Sequence, residues 1–475
     1  MQHTTKRTWA WVTALFFLLL AGCERPSADP TPVALAAVTP TLAPTTQPTA
    51  TPQPPVTNLQ SLTPPTATPQ SPTPAPPTPT PFYTGALSPA CGQILPILPA
   101  ETADVVTSLS PDAVALANLE AIMPAAAKPA WEYLLANPQN VGLAAFRAGD
   151  EANGVYLNAD APMPLASVVK IIHLVAYAEA VAAGELDPAS YVPVAELEQY
   201  YQPGLDLGSH QQAIADLEEQ GVIWGEPPQV RLSDIPWMMM RYSSNAAMDY
   251  LHLRLGQERI EATAVSLGLT TQTAPCTFLG QFLAMGNFTR SGSDYDAVNG
   301  FLADPATYGQ EAALLADAYV QSADFRETQT AWRRAERRPS MPVQRLFSDT
   351  LNPQGSAGEY AGLMARLAQN GLSNPDSSYL VRRYLEWPMV FEANQELFSN
   401  LGYKNGSMPG VLTTAYYAYP LGEVTPVVVV LFFRDLPNRT YQDWRRSLPH
   451  DELARWLLSE PAAIGALRGV FGGGE

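Results

Sequence analysis

Apolar and polar positions divide the 475 residues into three stretches. Residues 9–20 are a short unbroken apolar run, and residues 26–82 show no periodicity. From about residue 84 onward, apolar positions recur at spacings that specify elements. "NVGLAAFRA" (140–148) and "NGVYLNAD" (153–160) alternate like two short antiparallel strands joined by a Gly/Asp/Asn turn. A helix is expected around 112–136, and helical, loop-rich material over 194–400. "GVLTTAYYAYP" (410–420) and "TPVVVVLFFRDLP" (425–437) read as strands. "HDELARWLLSEPAAIGALRGVF" (450–471) reads as a closing helix interrupted at Pro461. Strands at both ends with helices between predict an α+β fold. One antiparallel sheet would be completed by both ends of the domain and packed with a largely helical subdomain. No internal repeat is visible.

The first stretch changes the picture before any chemistry does. Lys6 and Arg7 precede the apolar run Trp9–Leu20, which is short for a transmembrane span. Leu20-Ala21-Gly22-Cys23 then resembles a bacterial lipobox. That resemblance implies cleavage before Cys23 and a lipid on it; an ordinary signal peptide or an uncleaved anchor are the alternatives. Residues 26–82 hold 18 of the 46 prolines and a single charge, Asp29. Such a stretch cannot bury a core and is expected to be a polyproline-like or disordered tether. At about 3.1 Å per residue its limit is roughly 180 Å. The expected organisation is a signal segment over 1–23, a tether over 24–83 and a folded domain over 84–475. The location would be extracytoplasmic, lipid-anchored to a bacterial membrane.

The formal charge of −18 repels phosphate backbones, so nucleic acid is not an expected partner. Basic residues are 23 Arg but only four Lys: Lys6, Lys128, Lys170 and Lys404. A buried lysine gives up its proton far more readily than arginine, so each internal lysine needs a reason. Besides Cys23 there are Cys91 and Cys276, and a disulfide between them is open to a chain in an oxidising compartment. No CxxC or HExxH occurs, so no metal and no cofactor is expected.

The segment "PLASVVKIIHLVAYAEAV" (164–181) carries one serine and one lysine, Ser167 and Lys170, three apart in an apolar run. On a helix they share a face. Ser167 would lie near the first turn, where unpaired N–H groups and the helix dipole favour negative charge. Desolvation among Val168, Val169, Ile171 and Ile172 would lower the lysine pKa and free its amine to act as a base. A chance pattern, with the lysine snorkelling to solvent, is the structural alternative. Downstream, "RLSDIPWMMMRYSSNAAMDYLHLRLG" (231–256) contains Ser243-Ser244-Asn245, and "LGYKNGSMPGVLTTAYYAYP" (401–420) contains Lys404-Asn405-Gly406-Ser407. Ser243 and Asn245 could instead be helix caps, and Asn405-Gly406 a hairpin turn.

The three elements, their order and their flanks over about 300 residues resemble the penicillin-binding serine hydrolases, closest to class A β-lactamases. The resemblance implies that Ser167 is the nucleophile, Lys170 its base and Ser243 the proton relay to the leaving nitrogen. It implies that Asn245 holds the substrate amide and Lys404 the substrate carboxylate. Backbone N–H groups of Ser407 and Ser167 would form the oxyanion hole, with Gly406 keeping the strand edge open. The expected activity is β-lactam hydrolysis. A D,D-carboxypeptidase acting on peptidoglycan stem peptides, or a non-catalytic wall-binding or β-lactam-sensing module, are the alternatives. The expected state is a monomer.

The sequence departs from that family in one consequential place. A glutamate should activate the water that clears the acyl-enzyme, within a Glu-x-x-x-Asn segment before the helix expected at 356–372. "RLFSDTLNPQG" (345–355) carries Asn352, but Ser348 stands where the glutamate belongs, with Asp349 beside it. Residues 270–340 read as an enlarged insertion, and Glu311 or Glu336 are other candidate acids.

Overall fold

The computed structural model of the chain describes residues 105–335, 338–460 and 462–471. Cys23, the Pro/Thr-rich stretch, Cys91 and Glu336 lie outside the described residues. Cys276 is disulfide-bonded, which leaves its partner outside them too. Among the described residues, no helix is long and apolar enough to cross a membrane.

Nine strands form in chain order: β1 (Val141–Arg147), β2 (Val155–Leu157), β3 (Pro162–Pro164), β4 (Tyr191–Pro193), β5 (Gln229–Arg231), β6 (Gln354–Ser356), β7 (Phe398–Met408), β8 (Val411–Pro420) and β9 (Val427–Phe433). Five make one antiparallel sheet in the order β2-β1-β9-β8-β7, while β3 pairs with β6 and β4 with β5. β1, from the start of the domain, runs beside β9, from its end, with Val141 opposite Phe433 and Arg147 opposite Val427. Both ends thus complete the sheet, as expected of the α+β class.

The strand β9 shows why the sheet sits in the middle. Its sequence VVVVLFF is apolar at every position and buried throughout. Val428, Val430 and Phe432 face the larger helical core. Val427, Val429, Leu431 and Phe433 face a second core formed with the terminal helices. Alternation at period two sends successive side chains to opposite faces, so a strand covered on both sides must be apolar throughout. Each side chain buried in this way contributes about 1.5–3 kcal/mol. The second core is closed by helices Ala113–Ile122, Lys128–Ala136, Pro449–Ser459 and Ala463–Val470.

Three expectations need correction. The helix over 112–136 is two helices, because Met123 adopts ψ 134° ahead of Pro124. The Lys404–Ser407 segment is neither a hairpin turn nor a prelude to the strands: it lies inside β7, and the turn follows at Pro409-Gly410. Gly402, Asn405 and Gly406 lower the β-propensity of that stretch, but pairing with β8 from Asn400 to Met408 supplies the strand. The 153–160 strand shortens to 155–157, since Asn158 turns to φ 45° and its Nδ2 donates to Pro138 O and Val141 O. The 270–340 insertion is helical over Phe278–Met285, Asp294–Ala303, Pro305–Gln321 and Ala323–Ala335.

Candidate active site

Ser167 sits in a single 3-10 turn, Ala166–Val169, that leads directly into the helix Lys170–Ala182. The turn is held from three sides. Leu165 N donates to Pro353 O at 2.9 Å, Ala166 N donates to Asn352 Oδ1 at 2.8 Å, and Thr413 Oγ1 donates to Leu165 O at 2.8 Å. Ala166 is forced to φ 46°, a left-handed conformation that costs an alanine about 1–2 kcal/mol. The effect is to leave Ser167 partly exposed while its neighbours Ala166 and Val168 are buried.

Lys170 is fully buried and reaches across to the Ser243-Ser244-Asn245 turn. Its Nζ donates to Ser243 O at 2.6 Å and Asn245 Oδ1 at 2.8 Å, and lies 3.2 Å from Ser243 Oγ. A lysine amine faces an amide through the oxygen, so Asn245 is left with Nδ2 turned away from it. Lys404, equally buried, brings its Nζ to 3.0 Å from the same Ser243 Oγ and donates to Asn405 O at 2.8 Å. Burial lowers the Lys170 pKa to about 7, against the opposing pull of Asp249 and Asp206. Burial and the nearby Lys170 charge push Lys404 well below its ordinary value. A neutral amine on Lys170 can keep N–H bonds to the two carbonyl oxygens and offer its lone pair to a hydroxyl.

Ser243 gains this position from backbone strain. It closes the π-helical turn Met238–Tyr242 at φ 63°, directing its hydroxyl back toward both lysines. The capping role falls to Ser244, whose Oγ accepts from Ala247 N at 3.1 Å and contacts His210 Nδ1 at 3.0 Å. Ser243 and Asn245 are therefore free of the structural duty that was their alternative.

Gly406 brings β7 against the nucleophile turn. A Cβ at that position would lie 2.6 Å from Ser167 N, 2.7 Å from Leu165 O and 2.5 Å from Thr413 Oγ1. Only a residue with no side chain lets the strand come this close. Ser407 follows at the strand edge, exposed, with its Oγ 3.0 Å from Tyr441 OH. The structure thus gathers Ser167, Lys170, Ser243, Asn245, Lys404, Gly406 and Ser407 from three distant segments into one place.

The segment expected to carry the water-activating acid does not. Ser348 is buried in the helix Met341–Thr350, with its Oγ donating to Gln344 O. Asp349 is engaged by Arg434, Nε to Oδ1 at 2.7 Å and Nη2 to Oδ2 at 2.8 Å. Glu311 pairs with Arg290, Nη2 to Oε2 at 2.7 Å. The acid that sequence reasoning missed is Asp249, four residues past Asn245 on the helix Asn245–Leu255. It is buried and raises the Lys170 pKa, while its own is pushed up by burial to about 7. Both its oxygens accept backbone N–H groups, from Phe278 at 2.7 Å and Leu279 at 2.8 Å. An aspartate inside "NAAMDYLHL" was the available signal, because a lone acid on an apolar helix needs a partner. Among the described residues, no cluster of side chains is suited to a metal ion.

A serine heading a buried helix, with two desolvated amines converging on a second hydroxyl, is the equipment of a serine hydrolase that works by acyl transfer. The chain belongs to the β-lactamase enzyme family, whose family model matches residues 131–443. Solved structures similar to it include a β-lactamase from Sphaerobacter thermophilus, at 16% identity and TM-score 0.43, covering 68% of this chain and 91% of that one. PBP-A is similar at 14% identity and TM-score 0.39, covering 73% and 98%. A β-lactamase from Desulfarculus baarsii is similar at 14% identity and TM-score 0.40, covering 73% and 97%. No curated protein matches.

Proposed function

We propose that this protein is a serine acyl-transfer enzyme of the class A type that opens β-lactams onto Ser167 and releases the product slowly. The observation that carries the reading is the convergence of Lys170 and Lys404 on Ser243 Oγ beside Ser167. In the first step the Ser167 hydroxyl gives its proton to the Lys170 lone pair, and its Oγ bonds to the lactam carbonyl carbon. The oxyanion is met by the N–H groups of Ser167 and Ser407. The lactam C–N bond then breaks, and the nitrogen takes a proton from Ser243 Oγ, which Lys170 replaces. Lys404 stands where it would attract the substrate carboxylate, and Asn245 Nδ2 where it would meet the substrate side-chain carbonyl. Hydrolysis of the ester needs a base for water. Ser348 cannot be one, and Asp349 is held by Arg434, which supports a long-lived acyl-enzyme.

The same chemistry suits a D,D-carboxypeptidase acting on wall peptides, and the missing acid favours that over efficient β-lactam hydrolysis. A pure binding module has no use for two buried lysine amines, whose desolvation is costly. The lipobox-like segment at Cys23 and the Pro/Thr-rich stretch support a membrane-tethered, extracytoplasmic enzyme. Loss of lipid labelling in Cys23→Ser tests that part.

The acyl-enzyme is tested by intact mass of the protein mixed with a penicillin, followed over time, with Ser167→Ala as control. A penicillin-sized adduct that persists, and is absent from the control, is expected. No adduct, or one equally present in Ser167→Ala, overturns the nucleophile. An adduct that disappears as hydrolysed drug accumulates overturns the slow release and makes the protein an effective β-lactamase.

A further inference from the structure

The inserted helices lean on one wall of the cleft, the 201–208 loop. Tyr319, on the helix Pro305–Gln321, donates its OH to Tyr201 O at 3.1 Å. The Tyr201 ring lies 4.9 Å from the His210 ring, and His210 touches Ser244, next to Ser243. The same loop supplies Asp206, whose charge is felt by Lys170. The loop therefore joins the insertion to the reacting groups.

Two arginines of the insertion side meet at this loop. Arg338 rests on Gly204, its Nη2 2.8 Å from where a Cβ would stand, and Gly204 has φ 81°. Arg333, on the helix Ala323–Ala335, is half-buried. Burial and the Arg338 charge both lower its pKa, and only the Tyr319 phenol acts in the other direction. Glu198, the acid of this region, faces His210 Nε2 at 3.3 Å. In a chain of net charge −18, two neighbouring guanidiniums without a carboxylate are an unrelieved repulsion.

The loop and the helix also hold polar groups with nothing to bind. Gln202 is 5% exposed, and neither its Nε2 nor its Oε1 has a hydrogen-bond partner. Gln329, one helical turn before Arg333, is 1% exposed with its Nε2 unpartnered. Buried polar atoms without partners mark places where a ligand or water completes the structure.

We propose that Arg333 and Arg338, set against the Gln202–Gly204 segment, form a subsite for a carboxylate on an extended arm of the acyl donor. A planar fork of N–H donors suits a carboxylate, and an anion there would relieve the repulsion of the two guanidiniums. The occupant is an acidic peptide whose reacting end lies at Ser167, so this proposal rests on the acyl-transfer reading above.

The test uses the full chain carrying Ser167→Ala, so that binding is measured without turnover. Two peptides ending in D-Ala-D-Ala are titrated by calorimetry, one with a glutamate upstream and one with glutamine in its place. The glutamate peptide is expected to bind about tenfold tighter, and Arg333→Gln, alone or with Arg338→Gln, is expected to abolish that preference while leaving the glutamine peptide unchanged. Equal binding of the two peptides, a preference that survives Arg333→Gln and Arg338→Gln together, or no binding of either peptide overturns the subsite. The penicillin adduct on the unmodified serine is measured separately, and its presence shows that the acyl-transfer reading stands even when the subsite falls.

Discussion

The backbone N–H of Ala166 and the side-chain oxygen of Asn352 are 2.8 Å apart, and this bond holds the residue before Ser167 in a left-handed conformation. Asn352 is buried and also donates from Nδ2 to Gln281 Oε1 at 3.2 Å. Asn352→Ala leaves the Ala166 N–H and the Gln281 oxygen unsatisfied, at a cost of about 1–3 kcal/mol. The melting temperature is expected to fall accordingly, and penicillin labelling of Ser167 to slow as the turn relaxes. Unchanged melting and labelling would mean that the turn holds itself.

Lys170 sets the pH dependence. Burial brings its pKa down to about 7, so below that pH the amine carries the extra proton and has no lone pair to accept one from Ser167. Acylation is expected to rise with pH, about tenfold per unit well below pH 7, and to level off above it. Lys170→Ala is expected to lower the acylation rate by about 100-fold or more and to erase this rise. A flat profile in the unmodified protein would remove Lys170 as the base.

At Gly406 the expectation is steric. A methyl group would press on Ser167 N, Leu165 O and Thr413 Oγ1, all closer than 3 Å. Gly406→Ala must therefore push β7 off the nucleophile turn, and a shift of about 1 Å costs on the order of 100-fold in rate. Stopped-flow labelling compared with thermal melting separates this from unfolding: labelling should collapse while the melting curve stays cooperative. Labelling at the original rate would show that the turn and the strand yield without consequence.

The bidentate pair between Asp349 and Arg434 gives a prediction about what does not change. If Asp349 is committed to Arg434, Asp349→Asn should leave the lifetime of the acyl-enzyme within about twofold. Its stability cost should be about 0–1 kcal/mol, because both partners are partly exposed. A markedly longer lifetime, read from decay of the adduct mass, would instead identify Asp349 as the base for water.

Much of the site was legible along the chain because its side chains announce themselves. Lysines are scarce, and the two in apolar surroundings, Lys170 and Lys404, are those that converge on Ser243. Ser243 and Asn245 were also legible, but what relieves them of capping is the neighbouring Ser244, which only the backbone path reveals. Asp249 and Arg434 were not legible as partners. Asp249 acts on a lysine 79 positions away, and Arg434 takes up Asp349 from 85 positions away. No local pattern encodes such meetings. β7 was missed for a related reason: glycines and an asparagine weaken it alone, and its partner β8 makes it a strand.

By itself, the amino-acid sequence determined the elements whose hydrophobic periodicity is strong, the joining of both chain ends in one sheet, and the residues able to carry acyl transfer. Those follow from short-range physics: alternation, helix spacing and the rarity of an amine in an apolar run. The tertiary structure alone decided which groups are charged, which are already engaged and which face one another. Lys170 is titratable near neutrality because surrounding segments remove water from it, and Asp349 is occupied because β9 delivers Arg434 to it. Desolvation and pairing arise from segments far apart in the chain, and exist only once those segments have packed.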